Sequence, residues 1–340
     1  MKTLITGGAG FMGAHILDIL LADGHDRSIV VLDDLSGGFL ENVDIRNIDK
    51  RCRFVEGSIY NHDLVNRLFE KNEFEYVFHC AAYAAEGLSH FIRRFNYENN
   101  LIGSINLINA SVRHKVKCFV FLSSIAVYGE THGYITENTP PRPEDPYGIS
   151  KYAVEMDLMA ANNMFGLNYI IFRPHNVYGE LQNIGDPYRN VIGIFMNQCL
   201  QDKPLTIFGD GQQSRQFTYI RDICPYIARS AYYPKVYNQT FNCGTRDKHY
   251  TVAEIAQLVC QAMGKPLHTL YLPERNEVKH AWADHLKFEE AFGTVPITPI
   301  ETGLTNMANW VKEHGPRQGK PFSNIEIDEN MPMLWKELTC

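Results

Sequence analysis

Short apolar runs alternate with longer amphipathic stretches through the first half of the chain. Lys2 to Thr6, Ser28 to Leu32, Arg53 to Glu56, Tyr76 to Ala82 and Cys118 to Ser123 each read as a strand. Between them, Ala14 to Asp23, Asp63 to Lys71 and a long stretch from about Phe91 to His114 read as helices. Strand–helix alternation at this spacing predicts a right-handed, doubly wound parallel α/β sheet. Ligands on such sheets lie at the carboxyl ends of the strands. Ala81-Ala82-Tyr83, Ser123-Ser124 and Arg173-Pro174-His175-Asn176 fall at such ends.

After about Asn176 the rhythm breaks. Tyr178 to Asn190 reads as loop, Val191 to Gln201 as helix, Gln216 to Ile220 as strand, and Thr251 to Met263 and Ile300 to Lys312 as helices. This irregular half predicts a smaller substrate lobe interleaved with the first. The expected division is residues 1–176 plus about 214–244 for a nucleotide lobe, and 177–213 plus about 245–314 for the substrate lobe. Gly315 to Pro321 reads as a chain breaker, setting off a C-terminal extension, 315–340. Ile325, Ile327, Met331, Met333, Leu334 and Trp335 give that extension too many large apolar side chains for disorder. It is expected to pack across a lobe or a partner subunit.

Composition narrows the classes. The 340 residues are 45% hydrophobic and 21% charged, an ordinary globular balance with ample chain for a core. A formal charge of -7 without any Lys/Arg-rich run argues against nucleic acid or an anionic membrane as partner. An anionic ligand would then need locally placed arginines. No apolar run approaches membrane-spanning length. The start, Met1 to Thr6, reads as a first strand and not as a secretory signal. Eight scattered cysteines without a Cys-x-x-Cys pair suggest reduced thiols in a cytoplasmic protein, and no metal site.

Gly7, Gly10 and Gly13 form a Gly-x-x-Gly-x-x-Gly turn between the first strand and the first helix. Glycine lets backbone approach a diphosphate, which sits at the positive end of the helix. Asp33-Asp34 follow about twenty residues on, ending the second strand. A carboxylate there accepts ribose hydroxyls and repels a 2′-phosphate, favouring NAD over NADP. Further along, Asp145-Pro146-Tyr147-Gly148-Ile149-Ser150-Lys151 opens a helix with Tyr147 and Lys151 on one face. A nearby ammonium favours the phenolate and makes tyrosine a usable base.

Taken together and in order, these stretches resemble the extended short-chain dehydrogenase/reductase family. Within it they are most similar to the nucleotide-sugar epimerases, the group that includes the UDP-glucose 4-epimerases. The resemblance runs from Lys2 to about Lys312. It rests on Thr6 to Gly13, Asp33, His79-Cys80-Ala81-Ala82, Ser123-Ser124, Val127-Tyr128-Gly129, Tyr147-x-x-x-Lys151, Arg173-x-x-Asn176 and Gly209 to Arg215.

The resemblance implies Tyr147 as general base and Ser124 as a hydroxyl holding the reacting sugar oxygen. Lys151 would bind the nicotinamide ribose and depress the tyrosine pKa. It implies NAD contacts from Gly7, Gly10, Phe11, Met12, Gly13, Asp33, Asp34, Ser58, Ile59, Ala81, Ala82, Tyr83, Asn99 and Ser123. For the sugar nucleotide it implies Asn176 and Asn190, with Arg215 and Arg275 clamping the diphosphate. A homodimer through the helices near 91–114 and 147–165 is implied as well. His79 is read as satisfying backbone groups, and Tyr232-Tyr233-Pro234 as packing.

Three departures stand out. Ser58 replaces a usual aspartate near adenine. Ala84 replaces a lysine, leaving Glu86, Ser89 and His90 without roles in the pocket. The Arg275-Asn276-Glu277 turn is one residue short, which loosens the assignment of Arg275.

Ser124-Ile125-Ala126 bears on the reaction. Related 4,6-dehydratases carry Asp-Glu after the hydroxyl residue, and related decarboxylases a glutamate at the Ala126 position. Ile125 and Ala126 move no proton. The expected activity is therefore C4 epimerisation of a nucleotide-diphosphate sugar of UDP-hexose type through a transient 4-keto sugar. Alternatives are a 4,6-dehydratase, a decarboxylase, a net reductase or a non-catalytic NAD-sensing protein. Ala281, where some relatives carry a bulky tyrosine, is expected to leave room for an N-acetyl group.

Overall fold

The computed structural model describes residues 1–25, 28–44, 50–131, 133–246, 248–275, 277–319 and 322–339. Asn276 of the 275–277 turn and Lys320-Pro321 of the chain breaker therefore lie outside the described residues. Seven parallel strands form the central sheet: β1 (Lys2–Thr6), β2 (Ser28–Asp33), β3 (Cys52–Glu56), β4 (Tyr76–His79), β5 (Cys118–Leu122), β6 (Tyr169–Pro174) and β7 (Gln239–Cys243). Their order is β7-β6-β5-β4-β1-β2-β3, so the topology reverses between β1 and β4. A crevice opens at that reversal, beyond the carboxyl ends of the strands.

Both faces of the sheet are covered, which explains why the strands read as unbroken apolar runs. Successive side chains point to opposite faces. Ile5, Val31, Phe78 and Val120 thus join one core, while Leu4, Val30, Val77 and Phe119 join the other. The first core packs the helices Phe11–Asp23 and Ile220–Ser230, and the second packs His62–Lys71, Gly103–Arg113 and Pro146–Phe165.

The stretch read as one helix from Phe91 to His114 is Arg93–Tyr97, a π turn at Glu98–Ile102, then Gly103–Arg113. The wider turn coincides with unusual side-chain traffic. Asn100 accepts from the Tyr83 amide at 2.8 Å and donates to its carbonyl at 3.1 Å. Asn96 reaches the Pro146 carbonyl at 2.8 Å. Strand Tyr76–His79 is shorter than expected, and Cys80 to Ala82 run on as an extended cleft wall.

Beyond β6 the elements are short. Ser214–Arg215, Tyr250–Thr251 and His280–Ala281 make a small sheet, and Thr269–Leu272 pairs with Leu205–Phe208. The single strand expected at Gln216 to Ile220 is only Thr218–Tyr219, running directly into a helix. The tail packs on its own chain, with Met331 and Trp335 in a cluster with Tyr83, Leu88, Ile92 and Tyr188. No described helix is long and apolar enough to cross a membrane.

Candidate active site

Two clefts meet over the carboxyl ends of the strands. The first, about 350 Å³, is lined by the glycine turn, Asp33, Ala81, Ser123, Tyr147 and Lys151. The second, about 330 Å³, runs from Ser124 past Asn176 and Asn190 to Arg215 and Arg275. Ala84, Glu86, Ser124, Pro174, Asn176, Arg189 and Asn190 line both.

The first cleft is walled by backbone. Gly7 has φ +71°, and a Cβ there would lie 2.6 Å from the Ala81 amide nitrogen. One on Gly13 would collide with the Gly7 carbonyl, so helix and strand close up only because both are glycine. The helix starting at Phe11 has Gly10 as N-cap and no side-chain cap, leaving its amide end toward the cleft. Asp33 is buried, and its carboxylate accepts the Ala9 amide at 3.0 Å and the Leu35 amide at 2.9 Å. Burial raises its pKa, against the pull of those two amides. A glycine cradle at a helix amide end plus a cleft-lining carboxylate fits a dinucleotide.

Asp34, Ile59, Ala82 and Asn99 also line this cleft. Ser58 and Tyr83 do not. The Ser58 hydroxyl accepts the Tyr60 amide at 3.2 Å, and the Tyr83 ring is buried under the Arg189 guanidinium at 4.3 Å.

The Tyr147 helix is fixed at its start. Asp145 caps it by accepting the Gly148 amide at 2.9 Å, Pro146 fills the first turn, and Ser89 accepts the Tyr147 amide at 3.2 Å. Lys151 is 3% exposed and donates to the Leu122 carbonyl at 2.7 Å. Its Nζ lies 5.7 Å from the Tyr147 ring centroid. Burial brings the ammonium down to about 8. Tyr147 itself is pushed above the ordinary tyrosine range, by burial first and Glu86 second, while a hydrogen bond with Ser124 pulls it back. The expected depression by Lys151 is not seen: desolvation and a carboxylate set the direction.

Ser124 sits at the end of β5. Its hydroxyl caps the turn Ile125–Tyr128, accepting the Ala126 amide at 3.1 Å, and still lines both clefts. Behind it lies a buried polar chain. Ser123 donates to Glu155 at 2.5 Å, and Glu155 takes two bonds from Arg173, one of them at 2.9 Å. Arg173 also donates to Tyr128 at 2.6 Å, and Tyr128 to Asn242 at 2.8 Å. His79 is satisfied, but by the hydroxyls of Thr6 and Ser104, each at 2.7 Å, and not by backbone. Tyr232 packs on Tyr76, as a packing residue should.

In the second cleft the Asn176 amide donates to the Gln216 carbonyl at 3.0 Å, and Asn190 to Val177 at 2.5 Å. Arg215 donates to the carbonyls of Ser214 at 2.9 Å, Lys279 at 2.8 Å and Val278. Arg275 lies over the Phe208 ring at 4.6 Å and meets Glu277 at 3.0 Å. Arg189, which sequence reading passed over, stands at the junction and pairs with Asp186 at 2.8 Å. Its spacing from Asp186 looks like any surface pair, so no sequence signal marked it. Glu86 faces the same junction. Its carboxyl is pushed up to about 7, by burial first and by Asp145 second, while Arg215 and Arg275 pull it back.

Residues 3–244 match the NAD dependent epimerase/dehydratase family. The chain belongs to that family. NAD is the cofactor of this family, and the cradle described above fits it. The UDP-glucose 4-epimerase of Mycolicibacterium smegmatis is 32% identical over 317 residues, covering 92% of this chain and 99% of that protein. The UDP-glucose 4-epimerase of Thermotoga maritima, solved with UDP-glucose, is 33% identical with a TM-score of 0.83, covering 92% of this chain and 99% of that one. A dTDP-glucose 4,6-dehydratase of Streptomyces venezuelae, DesIV, is 28% identical with a TM-score of 0.85, covering 92% and 97%. The protein is therefore an enzyme of nucleotide-sugar epimerase/dehydratase type. Fold alone does not separate the two reactions.

Proposed function

We propose that the chain epimerises a UDP-hexose-type nucleotide sugar at C4, and the observation that carries this is the turn after Ser124. Ile125 and Ala126 line the sugar cleft where an eliminating enzyme needs an acid and a base, and neither carries a proton. The remaining groups suffice for a reversible oxidation at one carbon.

NAD, when bound, supplies the hydride acceptor and donor that take the sugar through its transient 4-keto form. Gly7, Gly10, Phe11, Met12, Gly13, Asp33 and Lys151 would hold it. Tyr147 takes the proton from the C4 hydroxyl and returns it after the sugar has turned. It does so as the phenolate, which burial and Glu86 disfavour, so the Lys151 ammonium and the Ser124 hydroxyl must stabilise that charge for Tyr147 to act as base. Ser124 also holds the C4 oxygen in reach. Arg215 and Arg275, joined by Asn176 and Asn190, keep the nucleotide diphosphate anchored during the turn. In this reading 1–176 with about 214–244 holds the cofactor, and 177–213 with about 245–314 holds the sugar nucleotide.

Ala281 lines the second cleft and is small, which supports acceptance of an N-acetylated hexose beside UDP-glucose. Exposed Ile102, Ile149, Met156, Met164 and Phe165 on the two long helical stretches support a homodimer through that face. One observation keeps elimination as a second reading: Glu86 is a cleft carboxyl whose pKa of about 7 suits proton transfer. Mass spectrometry separates the two. Protein and UDP-glucose without added cofactor should give a product of unchanged mass, and loss of water would establish the second reading instead.

A further inference from the structure

The family match ends at residue 244, well before the chain beyond Gly315, yet that last segment packs behind a wall of the second cleft. Glu326 fastens it. That carboxylate accepts the amides of Arg94 at 2.8 Å and Phe95 at 3.0 Å, and the Glu326 amide donates to the Phe91 carbonyl at 2.8 Å. Phe322 then packs on Phe95 at 4.8 Å and on Tyr83 at 5.4 Å. Trp335, on the short helix Met333–Thr339, is 1% exposed. Its ring lies 5.3 Å from Tyr188, 6.2 Å from Phe208 and against the backbone of Gly87. Gly87, Tyr188 and Phe208 all line the second cleft, so Trp335 is the layer behind that wall.

Arg275 is seated on this layer. Its guanidinium lies 4.6 Å from the Phe208 ring centroid and 5.5 Å from that of Trp335. Its Nε is buried without a hydrogen-bond partner among the described residues. On the other side of the junction, Arg189 lies over Tyr83, the ring that Phe322 supports. A long arginine side chain loses much rotamer freedom when it grips a ligand, and an aromatic seat removes that cost beforehand.

We propose that the C-terminal segment is a working part of the sugar-nucleotide site, and that Trp335 is the positioning residue holding Arg275 toward the diphosphate. This rests on the reading of Arg275 as a diphosphate clamp. The segment acts on binding of the nucleotide and leaves proton and hydride movement at C4 untouched, because among the described residues its partners at the cleft are the wall residues Gly87, Tyr188 and Phe208 with Arg275, and not Tyr147, Ser124 or Lys151.

The test uses the full-length chain, with UDP as the binding probe and UDP-glucose as substrate. Trp335→Leu keeps apolar bulk and removes the ring face. It should weaken UDP binding and raise KM about threefold to tenfold. The kcat should stay within about twofold of wild type, and NAD retention should be unchanged. Trp335→Phe should recover most of the loss, and Trp335→Leu should cost nothing further in the Arg275→Ala background. Should Trp335→Leu not accumulate as folded protein, Trp335→Phe carries the same comparison, since its smaller loss must vanish beside Arg275→Ala. Equal falls in kcat, NAD retention and UDP affinity, or full additivity with Arg275→Ala, would overturn the proposal. Wild-type protein that binds no UDP would overturn the clamp reading beneath it, which is a distinguishable result.

Discussion

Replacing Lys151 with methionine should make the folded chain more stable while removing its activity. Lys151 is 3% exposed, and burial lowers its pKa from 10.5 to about 8. Each unit is worth about 1.4 kcal/mol, so holding the ammonium inside costs about 3 kcal/mol at neutral pH. Methionine fills similar volume but leaves the Leu122 carbonyl without its 2.7 Å donor. That loss returns about 1 kcal/mol, for a net gain of about 2 kcal/mol. The sign fixes the pH dependence. Because the folded pKa is depressed, the unfolded chain binds more protons between about pH 8 and 10.5, and wild-type stability rises with pH across that window. Below about pH 8 the cost is constant. The advantage of Lys151→Met should therefore be full at pH 7 and shrink as pH approaches 10.5. Urea unfolding of cofactor-stripped protein at several pH values measures it, since bound NAD would add its own stabilisation. A variant less stable than wild type at pH 7, or a difference that ignores pH, would refute the reasoning.

Three further outcomes are expected. Arg173→Met leaves the fully buried Glu155 carboxylate without its counter-ion and should cost about 3–5 kcal/mol in urea unfolding, with Glu155→Met restoring much of it. Glu86 has a raised folded pKa, so it favours the folded state most below the unfolded value of 4.5, and that contribution declines as pH rises through about 7. Glu86→Gln should flatten stability across that window, seen as thermal midpoints that vary less from pH 4.5 to 7. Ala281→Tyr should abolish turnover of UDP-N-acetylglucosamine while sparing UDP-glucose, measured as the ratio of their kcat/KM values.

The nucleotide half was legible because buried parallel strands announce themselves as apolar runs, and because Gly7, Gly13 and Asp33 have few other reasons to stand where they do. The second half was not. Ser214–Arg215 and His280–Ala281 are two-residue strands, too short for any period to show. The π turn at Glu98–Ile102 has no composition of its own, since Asn96 and Asn100 earn it only through contacts with Pro146 and Tyr83. Ser58 reads as a cleft residue by position, yet its hydroxyl closes a local turn. Arg189 and Trp335 gave no sequence signal for one reason: each touches a partner far away in sequence, the Tyr83 ring for one and the Arg275 guanidinium for the other. The Tyr147–Lys151 spacing was visible, but the carboxylate that joins burial in raising the Tyr147 pKa comes from Glu86, on the separate short helix Glu86–Ser89.

The central claim is that a hydride leaves C4 and returns to it. UDP-glucose deuterated at C4, given to the purified protein in ordinary water without added NAD, tests that claim directly. The account predicts a C4 epimer of unchanged mass that keeps its deuterium at C4. Deuterium found at C6 with water lost, or released into free reduced cofactor, would contradict it.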